Sequence, residues 1–106
     1  MTNAKFIRGI GETRQVYFDG NHLSPSRSLA WANHSPDGFN WGYGGSGPAQ
    51  LALAILIEFG VDEQNAVRLH QEFKNDVIAG LEQGKDFELL TSKVGEWLAS
   101  KRFKIE

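Results

Sequence analysis

The run Gly42-Tyr43-Gly44-Gly45-Ser46-Gly47-Pro48-Ala49-Gln50 is where this sequence is best suited to hold another molecule. Pro48 stands at the head of an apolar stretch and suits the first turn of a helix, where its missing N–H would have no intrahelical partner. The first N–H groups of a helix are unpaired, and its aligned peptide dipoles leave about half a positive charge at that end, so the segment favours an anion. Glycines let a ligand approach the main chain. The expected contacts are the backbone of Gly44, Gly45, Ser46 and Gly47, with Gln50 a turn further on. Trp41 or Tyr43 would lie against a flat base, and Arg8 or Arg14 would supply charge. Asn33 and His34, beside Ser35 and Asp37, form the one polar cluster dense enough for catalysis or specific recognition.

Incomplete motifs in the glycine run argue against catalysis there. Gly42 and Gly47 have the spacing that opens a P-loop, but Pro48 and Ala49 stand where Lys and Ser/Thr are required. Ser46 lacks the closing glycine of a G-x-S-x-G nucleophile turn, because Pro48 occupies that position. His22 and His70 have no ligand spacing relative to His34, so neither a metal site nor a cofactor is expected. A purely structural alternative stands beside each of these readings. The glycines would then serve a sharp turn into the helix, and Phe39 and Trp41 would be core residues beneath it. Ser35-Pro36-Asp37-Gly38 would be a type I turn, and Glu72, Lys74 and Asp76 a solvated helix face.

The elements that must position these residues are legible in outline. Lys5–Ile10 and Gln15–Phe18 have strand character, and Asp19-Gly20-Asn21 predicts a hairpin returning through His22-Leu23. Leu29–Ala32 reads as one more short strand. A Gly-rich loop spans residues 33–47, holding five of the twelve glycines within positions 38–47, and no regular element survives that density. Residues 48–59 predict a helix apolar on nearly every side and therefore central, stopped at Gly60. Asp62 can cap an amphipathic helix over 62–83 with Ala66, Leu69, Phe73, Val77 and Leu81 inward. Phe87–Leu90 reads as extended, and Thr91 or Ser92 as the cap of a helix over 91–101 that buries Val94, Trp97 and Leu98. The expected fold is α+β: one domain over 1–106, with a small antiparallel N-terminal sheet (strands within 1–32) packed on two or three helices.

Composition narrows the class. With 106 residues, 41% hydrophobic and 23% charged, the chain has the size and balance of a single globular domain. The longest apolar run, Leu51–Ile57, falls far short of the roughly 18 residues of a membrane span. No secretory leader is readable at the N-terminus, so a cytoplasmic location is expected. The absence of cysteine excludes disulfides and thiolate chemistry. A net charge of −2 argues against nucleic acid held on a general basic face. That charge is unevenly placed, with four basic against three acidic residues up to Gly47 and seven against ten beyond it.

From Asn33-His34-Ser35-Pro36-Asp37-Gly38-Phe39-Asn40-Trp41 through the glycine run to Leu51-Ala52-Leu53-Ala54, the chain resembles an uncharacterised family of small proteins of phages, prophages, bacteria and archaea. The likeness extends from Arg8-Gly9 to Leu89–Thr91. It implies a phage or prophage origin and supplies no activity or catalytic residue. Asn40 departs from the acidic residue expected there, which weakens any general base at that position. By analogy with other small phage proteins, the leading expectation is a non-enzymatic protein that sequesters a small anionic ligand, a cyclic or ADP-ribose-type defence nucleotide, at the glycine-rich helix start. Oligomerisation would help a chain too small to enclose such a ligand alone. The competing expectation is an inhibitor of a host protein, or an assembly factor, for which the loop only shapes the fold.

Overall fold

The computed structural model describes residues 5–105. Three strands and a short helix come first: β1 (Phe6–Gly9), β2 (Val16–Phe18), β3 (Asn21–His22) and α1 (Ser26–Leu29). They are followed by α2 (Ser46–Phe59), α3 (Glu63–Asp76), a 3-10 turn (Ile78–Gly80), β4 (Phe87–Leu90) and α4 (Thr91–Ser100). The architecture is α+β, as the patterning predicts.

The hairpin forms at the Asp-Gly pair. Tyr17 faces His22 and Phe18 faces Asn21 across a two-residue turn, with φ of 50° at Asp19 and 82° at Gly20. Two positive φ values in succession give the turn a twist that matches the strands. The sheet runs in the order β3-β2-β1-β4, antiparallel throughout, so β1 is interior and pairs with both β2 and the distant β4. Alternation along β1 sends Ile7 and Gly9 inward and Arg8 outward, where it lies between Tyr17 and Glu88.

Helix α2 is the centre of the molecule. Every residue from Gly47 to Ile57 is buried, and Gly60 closes the helix in the left-handed conformation. Its side chains join Ile7 and Val16 of the sheet, Phe73 of α3 and Val94 of α4 in one core. A helix apolar all round can be satisfied only by neighbours on every side, and the sheet and the other helices supply them.

Three local expectations are corrected. Leu29–Ala32 is not a strand: Pro25 opens a single helical turn, in which its carbonyl accepts from Leu29 N at 2.9 Å and Ser28 Oγ at 2.9 Å. The second helix does not reach residue 83 but ends at Asp76. Val77 leaves helical geometry at φ −126°, and the following turn buries Ile78 completely. Helix α4 has no side-chain cap; the Thr91 hydroxyl and amide instead donate to Lys5 O, tying the helix start to β1.

Candidate functional site

Gln50 organises the segment that precedes the glycines. It lies in the first turns of α2 with no exposed surface, and burying an amide is tolerable only if its hydrogen bonds are made. All are: Oε1 accepts from His34 N (2.8 Å) and Ser35 N (3.1 Å), while Nε2 donates to Ser28 Oγ (2.9 Å) and Ala32 O (3.0 Å). One side chain therefore ties α1 and the loop root to the central helix. Its capacity is spent inside the protein, so Gln50 positions the loop and offers nothing to a ligand.

His34 reaches from the same root to α3. Its Nε2 is 2.8 Å from Nε2 of His70, whose Nδ1 is 2.6 Å from Val67 O. A carbonyl can only accept, so His70 carries its proton on Nδ1 and presents a bare Nε2, to which His34 Nε2–H donates. Burial holds the His70 imidazole below the usual histidine pKa, opposed by the Val67 carbonyl and reinforced by the nearby His34.

Phe39 and Trp41 follow as core residues. Trp41 is fully buried, meets the Phe87 ring edge-on at a centroid distance of 4.8 Å, and donates Nε1–H to Lys85 O at 2.8 Å. It therefore cannot stack on a ligand. Arg14, placed by a φ of 64°, lies 5.8 Å from the Trp41 ring.

Beyond Trp41 the chain turns outward. Gly42 donates to Ile78 O at 3.1 Å, adopts a φ of 85° and passes so close to the backbone of Gln83 that a side chain would collide with it. This glycine is dictated by the fold. Tyr43 is 38% exposed, with its ring over Gly45, and Gly44 has open space above its Cα. The amides of Gly44, Gly45 and Ser46 have no acceptor among the described residues, and no side chain caps the helix. Gly45 is extended, at φ −93° and ψ −167°, a conformation open to any residue. Gly47 is different, being buried against Asn40, where an added Cβ would sit 2.7 Å from that residue's own Cβ. From α3, Lys74 Nζ donates to Gly44 O at 3.2 Å and brings an ammonium group to the tip.

The structure thus unites Tyr43, Gly44, Gly45 and Ser46 at one exposed tip and separates the other expected contacts from it. Arg8 lies on the outer face of the sheet, 3.0 Å from the Glu88 carboxylate and over the Phe6 ring, and contributes nothing at the loop. Asn33 is exposed at the root, while His34, Trp41, Gly47 and Gln50 are committed to internal contacts. Lys74 was hidden among the charges of α3, which read as a solvated face. Its signal is a single cation one helical turn beyond His70, on the side that meets the loop. Among the described residues no group of three or more His, Asp or Glu side chains is placed to hold a metal ion.

Fold and tip together describe a small α+β protein with an uncapped, glycine-led start to its central helix. The chain belongs to the family of unknown function DUF6166, whose model matches residues 8–100. No curated protein and no solved structure matches it.

Proposed function

We propose that the protein is a non-enzymatic binding protein that sequesters a small phosphate-bearing ligand at the 43–46 tip. The ligand class is a cyclic or ADP-ribose-type signalling nucleotide of host defence, and the setting a phage or prophage. The observation that carries the reading is the group of three acceptor-free amides at Gly44, Gly45 and Ser46, with the Lys74 ammonium beside them. Phosphate takes up such N–H groups, and the helix dipole and the lysine both favour its charge. Tyr43 supplies an exposed ring for a base; Lys74 takes the part expected of Arg8. Because the tip is open on the surface, pairing of two copies would help to enclose the ligand.

Calorimetry and thermal shift against linear, cyclic and ADP-ribose-type nucleotides test the proposal, since a ligand of the folded state raises its melting temperature. Gly45→Val fits the observed backbone, displaces only the Tyr43 ring, and should obstruct the ligand while leaving the fold intact. Lys74→Ala should weaken binding, whereas Ser46→Ala should cost at most about 0.5–1.5 kcal/mol for one hydroxyl hydrogen bond. Salt should weaken binding only modestly, and every nucleotide should be recovered unchanged. If none binds, while a host protein co-purifies equally with the wild type and Gly45→Val, the proposal fails. A protein-directed inhibitor or assembly role then takes its place.

A further inference from the structure

Two imidazoles joined by one hydrogen bond respond to acid in a way that a buried amide cannot. His70 is 4% exposed, and its Nδ1–H is committed to Val67 O, so its only route to a positive charge is protonation of the Nε2 that accepts from His34. A single added proton can be held on the far nitrogen of His34, and the bond between the rings then becomes charge-assisted. A second proton has no such place. It must occupy His70 Nε2, where it meets the Nε2–H of His34 head-on, two donors with no acceptor between them. The two rings also lie 4.9 Å apart by centroid, so their charges repel at short range.

Beyond the backbone carbonyls of Val67 and Ala66, which favour a charged His70, the surroundings offer that second charge no relief. On α3 itself the charge that acts on His70 is Lys74, of the same sign. From α2 the loop root receives the neutral amide of Gln50, already spent. Among the described residues neither ring has a carboxylate within ion-pair distance.

We infer that the His34–His70 pair is a proton-operated latch, which keeps the root of the loop docked on α3 while at most one ring is charged and releases it when both are. Release frees the His34 ring and weakens the hold on the root, so that the His34 and Ser35 amides open more often from Gln50 Oε1. On the reading of the 43–46 tip as the ligand site, on which this consequence rests, the latch regulates the scaffold that presents the tip, and binding weakens in acid.

The test is an NMR titration of the full chain from about pH 8 to about pH 4, following the ring resonances of both histidines, the contact between the rings and the amide protection of His34 and Ser35. Two coupled proton steps are expected. The ring contact should persist through the first and vanish in the second, with amide protection at residues 34 and 35 falling about tenfold or more while the α2 core stays protected. His70→Gln keeps an acceptor that cannot be charged, so in that variant the contact to residue 34 and the protection should survive the whole range. Should that variant not fold, His34→Gln, which keeps a donor, provides the same comparison. The inference is overturned if the contact is already lost at the first step, if protection is lost equally in the uncharged variant, or if the loop and core open together. None of these readouts involves a ligand, so the latch can stand when nucleotide binding fails, and the converse.

Discussion

Residues 33–41 and residues 42–47 are consecutive, yet they meet water on opposite terms. In the first stretch the amides of His34 and Ser35 are taken by Gln50, the His34 Nε2 by His70, and Trp41 is fully buried. In the second, three successive amides have no acceptor among the described residues, and the aromatic side chain lies on the surface. The contrast teaches that the polarity of a loop does not reveal its role. What separates an anchor from a presenting surface is whether its hydrogen bonds are already made.

Variants can break this contrast or sharpen it. The largest effect should come from the floor beneath both stretches: Leu53→Asp puts an unpaired carboxylate into the fully buried centre of α2 and should cost more than about 4 kcal/mol, read as loss of soluble protein. Gln50→Leu keeps the volume but strands the amides of His34 and Ser35, the Ala32 carbonyl and the Ser28 hydroxyl. Urea unfolding should show a loss of about 3 kcal/mol. Gly47→Ala, pressed against Asn40, should lose about 1–3 kcal/mol in the same assay.

Next comes the pH dependence of stability. The folded pKa of His70 is depressed, so folding favours its neutral form. That contribution is complete above the unfolded value of about 6.5 and is lost as pH falls through the lower folded value. His70→Gln should flatten the acid side of the stability profile. Smallest of all, Gly45→Ala should change stability by no more than about 0.5 kcal/mol, because its backbone is ordinary and the Tyr43 ring above it can move. A large destabilisation there would make the tip part of the scaffold and dissolve the comparison.

Local rules made parts of this molecule readable in advance. The uninterrupted apolar run after Pro48 announced a central helix, and the Asp-Gly pair announced a hairpin, because in both cases the information lies within a few residues. The same rules misplaced whatever depends on distant partners. Helix α3 ends at Asp76 although its apolar periodicity continues, because Ile78 is drawn into the core and its carbonyl is taken by Gly42. Trp41 satisfied the aromatic pattern of a ligand site until Phe87 and Lys85, more than forty positions away, enclosed it. Gln50 carried a usable signal: an isolated amide at the head of an apolar helix must find four partners nearby, and a polar loop is where it finds them. His70 looked like one more polar residue of α3, and only its meeting with His34 across the fold gives it a distinct chemistry.

The position of β1 between β2 and β4 has a consequence for how the protein is made. As the chain leaves the ribosome, β1 can zip to β2 at once across a short turn, but its other edge stays open until residues 87–90 emerge. That pairing closes a loop of about eighty residues, an entropic cost met only late, after the central helix exists to hold the ends together. Until residues 87–90 are made the nascent chain therefore carries an unpaired strand edge on β1, and β4 is the strand that covers it.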